Sequence, residues 1–173
     1  MVDFDVVELP DCDHVNQGDQ APDFKRPLVT DEYWENASLS DLLASGLVVL
    51  VFHTMDGDFP ATYCWQELTA RAWDEQFGVT VVGLSISSPY EHSRFIDEQG
   101  LEYALFSDPA NDVAEQYGIV HDLDGMAGIQ EPRLSVFLID EDRTIRYAWV
   151  ASEWPEFPDY DDVEAAIENQ REE

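Results

Sequence analysis

Six consecutive apolar residues, Leu47-Val48-Val49-Leu50-Val51-Phe52, set the strongest limit on what this chain can fold into. A strand with one wet face alternates apolar and polar residues; this run does not. It suits a strand covered on both faces, as in a parallel sheet flanked by helices. Val79–Ile86 reads the same way. Between the two runs, Pro60–Phe77 carries Ala61, Cys64, Trp65, Leu68 and Ala72 at the i, i+3, i+4 spacing of one buried helix face, with Asp58 as a cap and Pro60 in the first turn. Strand, helix, strand is the unit of a parallel sheet.

The flanking segments extend this pattern. Phe4–Leu9 reads as a strand ended by Pro10. Residues 11–36 read as loop, with Gly18, Pro22 and Pro27 as breakers. Ser38 caps a short helix, Leu39–Ala44. Tyr90–Gln99 reads as a helix opened by Pro89, Tyr103–Phe106 as a short strand, and Asp112–Tyr117 as a short helix capped by Asp108 or Asn111. Residues 120–132 read as a loop, in which His121 and the stretch Asp122 to Gly128 connect elements at the surface. Leu134–Ile139 and Ile145–Val150 read as a hairpin turned at Glu141-Asp142-Arg143. The last helix is expected near Asp161, with Glu164 completing a capping box. The expectation is an α/β fold with a mixed central sheet and helices on both faces, in one domain over residues 1–173 with 1–17 as an N-terminal extension.

Charge excludes several function classes. Thirty-eight acidic residues stand against 8 basic ones, a net charge of −30, and Lys25 is the one lysine. Phosphate backbones and anionic membranes repel such a surface. The apolar runs and an aromatic content of 12% argue against a disordered acidic chain. What remains is a surface adapted to high salt, where a screening length of roughly 3 Å at about 1 M mutes repulsion between carboxylates. No apolar run reaches the length of a membrane span and no leader pattern is read, so the expected location is cytoplasmic. Cys12 and Cys64 are too few for a disulfide framework, and no Cys-x-x-Cys pair exists.

Several segments, in order, resemble peroxiredoxins of the alkyl hydroperoxide reductase and thiol-specific antioxidant family. Gly18-Asp19-Gln20-Ala21-Pro22-Asp23-Phe24 looks like its opening signature, and Leu39-Ser40-Asp41-Leu42 like the next segment. Val82 through Phe95, Leu105-Phe106-Ser107-Asp108, Val113 through Gly118 and Val136 through Asp140 are similar to later blocks. The resemblance covers roughly residues 18–150 and implies a thioredoxin-like fold and reduction of hydroperoxides by a reactive cysteine. In that family the active segment reads Pro-x-x-x-Thr-x-x-Cys after the first central strand. Two registers are open here. With Pro60 on the proline often found two residues before the cysteine, the nucleophile position falls on Thr62 and the threonine position on Phe59, while Thr54 stands near the first proline. With Cys64 as nucleophile, Ala61 replaces the threonine and Gly57 the proline.

The peroxidase reading assigns Cys64 as the attacking thiolate in a one-cysteine enzyme, reduced afterwards by an external thiol or a thioredoxin-type reductant. Thr62 donates a hydrogen bond, Arg133 supplies positive charge although it stands one residue early relative to Phe137, and His53 assists deprotonation as in other Cys–His pairs. Against this, Cys64 lies on the apolar stripe, where a cysteine is commonly a small hydrophobe, and Asp56 and Asp58 disfavour a thiolate. Cys12, between Asp11 and Asp13, is expected to be unreactive. His53 with Asp56, Asp58 and Cys64 has no recognised ligand spacing, so neither metal nor cofactor is expected. His92 is expected to pack. Trp149, Trp154, Phe157 and Tyr160 are expected to cover the sheet or a homodimer contact. The alternative from a different class is a catalytically silent member that keeps the fold for binding.

Overall fold

Within the apolar run at 47–52, Val48–Phe52 becomes a fully buried strand, the third of seven in the main sheet. The structure, a computed structural model, describes residues 6–121 and 127–172. In chain order its first elements are β1 (Val7–Glu8), β2 (Lys25–Val29), β3 (Trp34–Ser38), α1 (Leu39–Leu43), β4 (Val48–Phe52) and α2 (Phe59–Arg71). Then come α3 (Trp73–Phe77), β5 (Thr80–Ser85), α4 (Pro89–Gln99), β6 (Ala104–Ser107), α5 (Asp112–Tyr117) and β7 (Val120–His121). The last are β8 (Glu131–Pro132), β9 (Ser135–Ile139), β10 (Ile145–Val150), β11 (Glu153–Trp154) and α6 (Tyr160–Arg171).

The main sheet has the order β10-β9-β4-β5-β6-β2-β3. Strands β4, β5 and β6 are parallel, and β9 joins β4 antiparallel, giving the expected mixed sheet. Because side chains alternate along a strand, β4 feeds two cores. Val49 and Val51 meet Cys64, Trp65 and Leu68 of α2 together with Val163 and Ile167 of α6. Val48, Leu50 and Phe52 meet Leu39 and Leu43 of α1 and Val113 and Tyr117 of α5. Among the described residues no helix is long and apolar enough to cross a membrane.

Several expectations need correction. The strand read at Phe4–Leu9 is reduced to β1, and its first two residues lie outside the described ones. Residues 11–36 are not all loop: β2 and β3 form a hairpin there. Only Leu28 and Val29 of β2 also pair with β6, so Pro27 sits where the strand has β3 alone as partner, a position that tolerates a missing N–H. The helix expected over 60–77 breaks at Ala72, whose φ of 49° is left-handed. The break turns Trp73 into the core, where its indole N–H donates to Glu164 at 2.8 Å. Asp159, not Asp161, caps α6, accepting from the Asp161 and Asp162 amides, while Glu164 is drawn away to Trp73 and Arg71. Within the loop expected at 120–132, β7 and β8 pair; residues 122–126 of that reading lie outside the described residues.

Gly83 has no side chain for a packing reason. A Cβ there would fall inside the van der Waals radii of the Trp65 indole and of Leu105. Its absence lets α2 lie close on β5. Gly83→Ala is therefore expected to cost about 1–3 kcal/mol through overpacking, read as a lower denaturant midpoint at unchanged slope. An unchanged midpoint would show that the contact tolerates a methyl group.

Candidate functional site

At the carboxyl end of the parallel strands, where open α/β sheets place their sites, the chain leaves β4 at His53 and enters α2 at Phe59. The intervening turn is pinned by a buried hydrogen-bond network. Asp56 accepts from His53 Nε2 at 2.8 Å and contacts His92 Nδ1 at 2.7 Å, one carboxylate oxygen to each ring. Its backbone N–H donates to Ser87 Oγ at 2.9 Å. Trp65 Nε1, which can only donate, reaches His53 Nδ1 at 3.1 Å. The His53 proton therefore sits on Nε2 and points at Asp56. His92 Nε2 faces the carbonyl of Phe106 at 2.9 Å, so both nitrogens of that ring face acceptors.

Burial pushes the Asp56 carboxyl up, but hydrogen bonds from His53 and His92 outweigh it and hold the group at about 2. His53, Asp56 and His92 offer ligand atoms within 4.8 Å of one another. A metal on His53 Nε2 would displace the proton that the Trp65 contact places there and leave an imidazolate, so this arrangement favours hydrogen bonding over coordination. Asp58, expected beside this cluster, turns its carboxylate to the Thr54 hydroxyl instead.

His53, Thr54, Pro60, Ala61 and Arg133 line a cavity of about 10 Å³, room for one water-sized group. Arg133 is 4% exposed; its guanidinium donates to the carbonyls of Pro10 and, at 3.4 Å, of Ala151. Its Nε–H has no acceptor among the described residues. Ala61 is the third residue of α2, in the first turn, where amides precede the helix's own acceptors: the Thr62 N–H is the one that reaches Asp58 O, at 3.0 Å.

The structure thus brings together His53 and Arg133 of the expected site residues and leaves Cys64 and Thr62 out. The Thr62 hydroxyl donates to Asp58 O at 3.0 Å, within its own helix turn. Cys64 does not pair with His53, whose ring nitrogens are both engaged elsewhere. One turn deeper than Ala61, it is 0% exposed within the core formed by α2 and α6. Burial pushes its thiol up to about 12; the Tyr160 hydroxyl beside it pulls the other way, and Glu67 adds a further upward push. Cys12 is half-buried. Sequence reading missed Trp65 as a hydrogen-bond donor and His92 as the second ring on Asp56. Trp65 lies on the apolar stripe of its helix, and His92 lies 36 residues from Asp56.

Residues 17–148 match the AhpC/TSA family. A Coxiella burnetii protein named as a peroxiredoxin, bcp, is 35% identical over 143 residues, 78% of this chain and 88% of that one. The chloroplastic 2-Cys peroxiredoxin BAS1 of Hordeum vulgare is 26% identical over 144 residues, 77% of this chain, but this chain spans only 65% of its length. Among solved structures, peroxidoxin BcpB from Mycobacterium tuberculosis has a TM-score of 0.73 at 25% identity, covering 91% of this chain and 97% of that one. Set with its first position on Thr54, the residue after His53, the spacing Pro-x-x-x-Thr-x-x-Cys runs through Asp58 to Ala61. Thr54 and Ala61 line the Arg133 cavity, and Asp58 is bonded to Thr54. This register differs from the two set by Pro60 and by Cys64.

The depressed Asp56 carboxyl fixes a pH dependence. A group lowered in the folded state contributes stability that is present above its unfolded value of 3.8 and lost as pH falls through about 2. Asp56→Asn should cost about 3–5 kcal/mol at neutral pH by unpairing a buried charge. The gap between wild type and variant should shrink by about 2 kcal/mol between pH 4 and pH 2 in denaturant titrations. A gap that holds constant across that range would refute the pairing.

Proposed function

This chain belongs to the AhpC/TSA family, and on that premise we propose that it is a thiol-dependent peroxidase of the one-cysteine type. The observation that carries the reading is a cysteine in the helix behind the central strand, Cys64 of α2, in a chain matched to peroxiredoxins over most of its length. The chemistry balances simply. The Cys64 thiolate attacks one peroxide oxygen, the O–O bond breaks, an alcohol leaves with a proton, and Cys64 becomes a sulfenic acid. Two equivalents of an external thiol, or a thioredoxin-type reductant, return it to the thiol and release water and a disulfide. Arg133 and His53 sit together at the neighbouring cavity and supply polarity there. With Cys64 fully buried, the reading requires that the sulfur be uncovered before it reacts.

A second reading is favoured by one specific observation. The first-turn position that shares the cavity with Arg133 is Ala61, which has no nucleophile. On that reading the fold is kept for binding and the chain is catalytically silent. Either way, the acid load supports a high-salt cytoplasm as the working environment, where exposed carboxylates are screened. The aromatic group Phe59, Tyr63 and Trp154 beside the cavity mouth supports a homodimer contact at this face.

Peroxide consumption with a thiol reductant separates the readings. The peroxidase reading expects turnover by wild type and by Cys12→Ser, and background rates for Cys64→Ser. Equal turnover in wild type and Cys64→Ser, or none in either, overturns it. Ala61→Cys places a thiol in the first turn of α2 beside Arg133, where amides and a cation stabilise a thiolate. That thiol is expected to titrate below the ordinary value of about 8.5. Peroxide turnover by Ala61→Cys in the absence of any by wild type would establish the silent reading.

A further inference from the structure

One cation holds the seam between α2 and α6. Arg71, in the last turn of α2, bonds Glu67 of its own helix at 2.7 Å and reaches across to Asp161 at 3.0 Å and Glu164 at 2.9 Å. Its guanidinium carbon lies 5.2 Å from the centre of the Tyr160 ring. Glu164 also accepts from Trp73 Nε1. Tyr160, the first residue of α6, packs on the core that contains Cys64 and brings its hydroxyl to the thiol. Beyond Tyr160, α6 is anchored by the buried Val163 and Ile167, by the partly buried Ala166, and by Arg171, whose guanidinium carbon lies 5.7 Å from the centre of the Phe77 ring. Four of its residues, Asp161, Asp162, Glu164 and Glu168, are acidic, so without Arg71 the helix faces Glu67 with like charge. By contrast every residue of β4, on the other side of the thiol, is buried.

We propose that α6 is a hinged cover over the Cys64 sulfur, latched by Arg71 and Tyr160, and that its release bares the thiol while the sheet stays folded. The proposal rests on the reading of Cys64 as the oxidised sulfur and says what admits the peroxide. Elements that open locally are those with few buried apolar anchors and partly exposed polar bonds, and α6 fits that description. Arg71 and Tyr160 are positioning residues in this scheme. Neither takes part in bond making, and both decide whether the sulfur is reachable.

The test uses the full chain in a Cys12→Ser background, so that Cys64 is the one thiol read. Alkylation of Cys64 by iodoacetamide under native conditions is followed alongside hydrogen exchange of α6 and of β4, and peroxide consumption is measured in the same samples. Arg71→Gln is expected to alkylate about tenfold faster, with faster exchange in α6 and unchanged exchange in β4. Tyr160→Phe should move both readouts in the same direction by a smaller factor. Should Arg71→Gln fold poorly, Asp161→Asn with Glu164→Gln loosens the same seam from the other side. Alkylation equal to wild type in the latch variants, or faster only in step with β4 exchange, overturns the cover. Faster alkylation without any gain in peroxide consumption upholds the cover and overturns hydroperoxide reduction by Cys64, so the two claims fail separately.

Discussion

The indole of Trp65, laid on the bare backbone of Gly83 and hydrogen-bonded to His53, decides how α2 is rotated against the sheet. Everything about the site follows from that rotation. Ala61 is turned to the Arg133 cavity, Thr62 bonds within its own turn, and Cys64 enters the core one turn further along. Three residues of helix correspond to about 4.5 Å of axial rise. That distance separates the first-turn amides, which stabilise anions, from a depth at which amides are already bonded and the surroundings are apolar. A cysteine at 61 and a cysteine at 64 are therefore chemically different groups in the same helix.

Electrostatics divide the molecule in the same way. Outside, exposed carboxylates face solvent and counter-ions, and most of their mutual repulsion is a matter of ionic strength. Inside, ionic groups are few and each is held by geometry. Asp56 is shared between two imidazoles, Asp108 receives Arg26 at 2.8 Å, and the Arg133 guanidinium rests on backbone carbonyls. With only 8 basic residues available, single cations carry several contacts each, and Arg71 with three carboxylates is the extreme case. Such nodes concentrate the stability of a seam in one side chain.

The central sheet was legible because its strands are buried on both faces and read as uninterrupted apolar runs. The hairpin β2–β3 was not, since Lys25, Arg26 and Pro27 give β2 no apolar pattern and its pairing depends on β6, far along the chain. The break at Ala72 was equally hidden: alanine is a good helix former, and the turn is imposed by the burial of Trp73. At the site, His53 was read from its place at the end of the first central strand and Arg133 from the family resemblance, and the two line one cavity. The Asp56–His92 pair joins two segments that no local pattern connects. Ala61 entered the sequence reading only in the threonine position of the Cys64 register, and an alanine draws no chemical attention in a search for nucleophiles. Cys64 drew it by being the sulfur in the helix, and its place on the apolar stripe was the truer signal of its surroundings.

In the closed, folded chain helix rotation keeps the Cys64 thiol sealed in apolar surroundings, so its thiolate forms only once the sulfur is uncovered. Absorbance of the thiolate near 240 nm, titrated in the folded Cys12→Ser chain, measures this directly. A thiol pushed up to about 12 is expected to show no ionisation step near neutral pH. A step with its midpoint below about 8.5 would show a solvated, stabilised anion and contradict it.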